Sequence, residues 1–259
     1  MLETCYRKSL LSMKAVWFAE KRNEDFEKEC DIVYYHCLLN RPSGSFSEKK
    51  TLWSDLTKTK EDIVVLADKS VRYEIRRAQN DGVETNFYDS YDLSNAPHLI
   101  ESFSSAYNHF MKSKNLKGKF NHQAVNAYIG SGAFFVSTAS HEENNYVFHS
   151  YIGDGEIARL LYSVSLFRDE NDATMKALVG RANRLLHMND MLLFKELGYS
   201  CYDWGGYSDA EDQRNIARFK KGFGGNSVTV YDALIPCSLV GTWVLKTRAK
   251  LSDLHSQNR

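Results

Sequence analysis

The stretch "YDWGGYSDAEDQRNIARFKKGFGG", Tyr202–Gly225, holds five of the fifteen glycines and four basic side chains within 24 positions. A strand ending in "YDWGG" puts Asp203 near the carboxyl end of a sheet, where α/β proteins open their ligand crevices. Gly205 and Gly206 then allow a sharp bend or a close approach to the main chain. The same residues also suit a tight turn in which Asp203 caps a backbone amide. Downstream, Arg214 and Arg218 lie one helical turn apart, and Lys220 and Lys221 follow at once. Such cations complement the dipole of a solvated helix end. They equally suit a clamp for phosphates, or for charge developing on a reacting carbonyl.

The rest of the chain bounds these options. Its 259 residues are 43% hydrophobic and 25% charged, the composition of an ordinary soluble protein. Lys+Arg and Asp+Glu both total 33, so no global charge advertises DNA or an anionic membrane, and any anion site is local. The first 30 residues lack the pattern of a signal peptide, and no apolar run approaches the ~20 residues of a membrane span. Cys5, Cys30, Cys37, Cys201 and Cys237 are odd in number and lack zinc-ligand spacing, which reads as reduced thiols in a cytoplasmic protein with no metal.

Working outward, the first 40 residues read as mixed and partly helical, ending in a strand at "DIVYYHCLLN". "DIVVLAD" (Asp62–Asp68) reads as a buried strand. Val71, Ile75 and Ala78 fall on one helical stripe, with Arg72, Arg76 and Gln79 on another and Gly82 placed for a left-handed turn. "VETNFYD" then reads as a strand. A second helix follows, capped by Ser94, with Leu99, Phe103, Tyr107 and Phe110 on its core face. "KSKNLKGKFN" (Lys112–Asn121) is the candidate boundary between halves 1–115 and 116–259. Beyond it "AVNAYIG", "GAFFVSTASHE", "NNYVFHSYIG" and "IARLLYSVSLF" suggest an antiparallel meander, and a helix from Ala182 to Leu197 leads into "YSCYDWGG". "RYEIRRAQNDGVETNFYDS" and "NDMLLFKELGYSCYDWGG" share a helix–Gly–strand plan, which fits either an internal duplication or a common connection arising twice.

"ANRLLHMNDMLLFKELGYSCYDWGGY" followed by "NIARFKKGFGG" resembles the signature of the Fem-type acyltransferases, and "VRYEIRRAQNDGVE" resembles their N-terminal helix. The resemblance implies an α/β (α+β) fold, with GNAT-like mixed twisted sheets, flanking helices and two linked halves. It also implies attack of an amine on an activated acyl donor. The lysine of the family's "FK" pair, implicated in stabilising the tetrahedral intermediate, is Lys220 here. Within the family, the neutral charge and the lack of a long charged helical arm favour acyl-CoA as donor. The acceptor is then the amine of a nucleotide-linked amino sugar used for surface polysaccharide. Aminoacyl-tRNA-dependent bridge formation is the alternative, and a non-catalytic nucleotide- or partner-binding module is the third reading.

This reading gives each candidate a role. Lys220 stabilises the oxyanion. Asp203 or Tyr207 orients or deprotonates the amine, and His149 in "YVFHSYIG" is a further base, as is Glu156. Gly180, Arg181 and Arg184 in "VGRANR", taken as a helix opening, would hold the CoA pyrophosphate with Arg218 and Lys221. Arg72 and Arg76, with Trp204 and Phe219, would hold the acceptor. His187, among apolar neighbours, reads as a core histidine. The oligomeric state is open, with a homodimer among the options.

Overall fold

The computed structural model describes residues 1–116, 118–166, 172–208 and 210–247. Its first elements are β1 (Leu2–Lys8), β2 (Leu11–Trp17), α1 (Glu24–Glu27), β3 (Ile32–Leu38) and β4 (Ser47–Asp55). Next come α2 (Lys60–Leu66), α3 (Lys69–Asn80), β5 (Glu84–Tyr88), α4 (Ser90–Asn95), α5 (Pro97–Ser113) and α6 (His122–Gly130). The chain continues through β6 (Phe134–His141), β7 (Asn144–Gly153), β8 (Ile157–Ser165), α7 (Ala173–Glu196), β9 (Cys201–Gly206), α8 (Arg214–Lys221) and β10 (Asn226–Pro236). These elements fall into two compact units. One joins Met1–Lys49 to the segment starting at Thr229, and the other is Lys50–Val228.

In the first unit β1 and β2 form an antiparallel hairpin, β2 runs parallel to β3, and β3 pairs antiparallel with β10. The helical character expected of the first 40 residues is confined to the four-residue α1. β1 buries only Thr4, so its alternation carries almost no apolar signal. The core of this unit gathers Val16, Val33, Tyr35, Leu38 and Ala233.

The second unit orders its strands β4-β9-β8-β7-β6-β5. β8 and β9 are parallel and every other pair is antiparallel, so β6–β7–β8 is the expected meander. α7 covers one face with α2 and α3 beside it. Val71, Ile75 and Ala78 are buried on α3 as their spacing predicts, and Gly82 is left-handed (φ 76°). Successive strand residues point to opposite faces. On the opposite face from Val147 and His149, Phe148 and Tyr162 therefore meet Phe103 of α5.

Four local expectations are corrected. "DIVVLAD" is helical, because Thr59 accepts the Asp62 amide and Glu61 and Asp62 fill the first turn. Only Ile63 of its β-branched run is buried. "AVNAYIG" lies in α6, capped by Asn121, with Ala124, Val125 and Tyr128 buried at helical spacing. The single helix expected after Ser94 is two. Asp89 and Asp92 form a capping box at α4, Pro97 opens α5, and Ser94 instead donates to the Ser90 carbonyl. Finally, α7 begins at Ala173 with Asp172 as its cap, so "VGRANR" sits inside the helix rather than at its opening. Among the described residues no helix is long and apolar enough to cross a membrane.

Candidate functional site

β8 and β9 are the parallel pair in the second unit's otherwise antiparallel strands. They pair only from Ile157↔Cys201 to Arg159↔Asp203, although both strands continue. Just past that pairing Gly205 has φ 71°, and a Cβ there would stand 2.9 Å from the Leu160 carbonyl oxygen. Only glycine lets the two main chains pass so closely.

Alternation along β9 divides its side chains. Asp203 is fully buried, and its carboxylate accepts from Arg159 Nη1 at 2.5 Å, the Gly205 amide at 2.8 Å and the Thr51 hydroxyl. It therefore fixes the bend after the strand, as the capping reading of "YDWGG" requires. Trp204, expected to hold substrate, is fully buried. Its indole donates to Ser54 Oγ at 2.9 Å and its ring packs on His187 and Phe223. Tyr207 is buried, with Lys221 Nζ 5.3 Å from its ring centroid.

α8 brings Lys220 to this place. The half-buried ammonium donates to the Trp204 carbonyl at 2.8 Å and the Gly206 carbonyl at 2.6 Å. Burial pushes its pKa down to about 8; Asp203 opposes that shift and Arg159 adds to it. α8 closes on Gly222, whose carbonyl accepts the Asp68 amide at 2.8 Å. Gly225 follows with φ 107°, where a Cβ would lie 2.6 Å from the Trp53 carbonyl oxygen.

α3, α7 and α8 line a cavity of about 550 Å³, to which α8 contributes Asn215, Arg218 and Phe219 but not Lys220. Gly180, Arg184, Arg218 and Phe219 all line it, so four sequence-predicted residues converge there. Three cations, Lys176, Arg184 and Arg218, face two carboxylates, Asp68 and Glu74. The Arg184 guanidinium stacks 5.2 Å from the Phe219 ring and donates to the Gly180 carbonyl. Burial lowers its pKa, opposed by Glu74. Arg181 is elsewhere, buried against Asp81 at 2.7 Å. Arg72 and Arg76 do not line the cavity, which α3 faces with Ser70, Val71 and Glu74.

His149 lies in a buried polar cluster on the α7 face. Its Nδ1 is 2.9 Å from Asp190 Oδ2 and its Nε2 is 2.9 Å from Asn183 Oδ1. Tyr151 donates to the same Asp190 oxygen at 2.5 Å and meets Tyr202 at 2.9 Å, and Tyr202 meets His187 Nδ1 at 2.8 Å. Burial pushes both tyrosines well above their ordinary range and His187 well below its own, which keeps all three neutral. His187 is thus the satisfied core histidine expected. Donor atoms of His149, His187 and Asp190 lie within 4.8 Å of one another, and each residue is already hydrogen-bonded. Sequence reasoning missed Asp190, Asn183, Tyr151 and Arg159. The available signal was a polar stripe, Asn183, His187 and Asp190 at i, i+4 and i+7, running through an apolar helix.

No protein-family model and no curated protein matches the sequence. Solved structures do resemble the fold. A C-terminal domain (DUF2156) from Agrobacterium fabrum, described as belonging to a lysylphosphatidylglycerol synthetase, aligns at TM-score 0.56 and 12% identity, covering 96% of this chain and 85% of its own. FemX aligns at TM-score 0.56 and 12% identity, covering 78% and 66%. L-PGS from Bacillus licheniformis aligns at TM-score 0.51 and 13% identity, covering 95% and 88%. At these identities the likeness concerns the fold alone, a mixed α/β arrangement shared with FemX and the synthetase domain.

Proposed function

We propose that the chain is an N-acyltransferase moving an acyl group from acyl-CoA to the amine of a nucleotide-linked amino sugar by direct attack. The observation carrying this reading is the Lys220 ammonium, held by the Trp204 and Gly206 carbonyls where β8 and β9 part. An ammonium has three N–H groups, and two are directed at those carbonyls. The third would meet the thioester oxygen as negative charge develops there. A pKa of about 8 also suits Lys220 to protonate the departing thiolate near neutral pH. Arg184, Arg218 and Lys176 would hold the donor's phosphates in the adjacent cavity. Arg181 and Trp204 are taken up by their contacts to Asp81 and Ser54, and Arg72 and Arg76 lie off the cavity.

A second reading, aminoacyl transfer from tRNA, is favoured by the likeness to FemX and to the Agrobacterium fabrum domain, which is described as part of a synthetase of lysylphosphatidylglycerol, an aminoacylated lipid. One experiment separates the two. The protein is incubated with a panel of acyl-CoA thioesters and dTDP-amino sugars, and in parallel with aminoacyl-tRNA, and acylated products are followed by mass spectrometry. Free thiol is corrected for the protein's own five cysteines. Acceptor-dependent release of CoA is the expected result. Transfer from aminoacyl-tRNA alone would replace the first reading with the second. Inertness in both arms would leave a binding module.

A further inference from the structure

The polar cluster beneath α7 is costly. A buried ion pair or polar network is commonly no more stable than apolar residues of the same volume, and ionisable groups perturbed by burial concentrate at functional sites. Its proton inventory also has a direction. Tyr151 commits its hydroxyl proton to Asp190 at 2.5 Å. The 2.9 Å contact between Tyr151 and Tyr202 must then carry the Tyr202 proton. His187, neutral and 2.8 Å from Tyr202, is left to donate through Nδ1–H. The chain therefore runs His187 → Tyr202 → Tyr151 → Asp190, and His149 Nδ1–H makes the second donation to the same carboxylate oxygen.

This arrangement fixes the His149 ring with its proton on Nδ1 and its lone pair on Nε2. The partner of Nε2 is the Asn183 side chain, half-buried while the rest of the cluster is buried. Oxygen and nitrogen of a side-chain amide exchange by a half-turn. A neutral His149 thus receives an N–H from Asn183 at the point of the cluster nearest solvent.

We infer that the His149–Asp190 pair is the general base of the transfer, with Asn183 holding the place that the acceptor's N–H takes during reaction; this rests on the transferase reading above. As the acceptor nitrogen bonds to the acyl carbon, its proton passes to His149 Nε2. The carbon–sulfur bond breaks, and the departing thiolate takes a proton from the Lys220 ammonium; His149 then gives its proton to solvent and Lys220 regains one, so the nitrogen's net loss equals the sulfur's gain. Asp190 and Tyr151 are positioning residues. The charged or titratable groups around His149 are Asp190, His187 and Asn183's neighbour Arg184 on α7, Tyr151 on β7, Tyr202 on β9, and Lys220 on α8, which reaches the cluster electrostatically through His187.

Two measurements test this. Nitrogen-15 histidine NMR of the wild-type protein should show Nδ1–H tautomers for both His149 and His187, and the His149 Nε2 signal should move on saturation with a dTDP-amino sugar. An Nε2–H tautomer at His149, or no movement on saturation, overturns the inference whether or not turnover is found. In the transfer assay, His149→Gln and Asp190→Asn should each lower kcat about 10²-fold or more with acceptor KM little changed. His149→Gly should recover activity with added imidazole. Folded variants with wild-type kcat would assign the cluster to structure alone. A wild-type protein that transfers nothing would sink the transferase reading, and the tautomer measurement would still decide the state of the pair.

Discussion

Replacing Lys220 tests the proposed site most directly, because two effects of opposite sign can be worked out beforehand. Truncation to Ala removes the charged donor from the part-buried Trp204 carbonyl, a loss of about 1–3 kcal/mol, and from the Gly206 carbonyl, which is exposed and takes water instead. The variant also no longer buries an ammonium, which offsets part of that loss. The fold should survive, and urea denaturation would verify it before any rate is compared. Removing an oxyanion donor costs about 10²–10³ in kcat, so that drop is expected in Lys220→Ala, with donor KM nearly unchanged. The pH dependence is sharper. With a pKa of about 8, Lys220 is roughly nine-tenths ammonium at pH 7 and one-tenth at pH 9. A rate needing the ammonium falls about tenfold between them. Lys220→Arg stays charged throughout, so its alkaline limb vanishes whatever the height of its plateau. Stability moves the other way. The folded pKa lies below the unfolded one, so the unfolded chain binds more protons between about pH 8 and 10.4, and stability rises with pH across that window. Unchanged kcat in Lys220→Ala, or an alkaline limb that persists in Lys220→Arg, would refute the role.

Arg159→Met strands the buried Asp203 carboxylate and should cost about 3–5 kcal/mol by urea denaturation; adding Asp203→Asn should recover part of that loss, giving a positive coupling in the double-mutant cycle. Gly225→Ala places a Cβ 2.6 Å from the Trp53 carbonyl oxygen at φ 107° and should destabilise by about 2 kcal/mol or more, read as a fall in Tm. Gly180→Ala should do the reverse, since this mid-helix position leaves 3.7 Å to Arg184 Nη1. It should gain up to about 1 kcal/mol while raising donor KM, because the new methyl group enters the cavity that Gly180 lines.

Much of the fold was legible where residue type and turn signals agree. β6 and β7 are near-continuous buried runs rich in β-branched and aromatic residues, bounded by turns, and the α3 stripe of Val71, Ile75 and Ala78 shows a plain helical period. Failures occurred where residue type and environment part company. α2 carries Ile63, Val64 and Val65, a β-like run, yet its cap and first-turn acids decide for helix. α6 is short and exposes half its residues, so a seven-residue apolar run fitted either period. β1 shows the opposite problem, since hydrogen bonding to β2 specifies it more than any buried side chain does.

The opening stretch marks residues that lie near one another without stating which way each one faces, and alternation explains why. A strand states which residues are neighbours but leaves open which face each one takes. On β9, Asp203 turns to Arg159 while Tyr202 and Trp204 turn to α7, so the carboxylate that sequence marks as a base is spent on holding the bend. The carboxylate facing the histidine is Asp190, which lies 41 residues from His149 in sequence. No local pattern reports such a pair, because its two members meet only when α7 lies across β7. Lys220 was legible for a different reason. Its neighbours Gly222, Gly224 and Gly225 are required by the backbone's approach to Val71, Leu66 and Trp53, so the glycines that hold α8 in place also mark the lysine it carries.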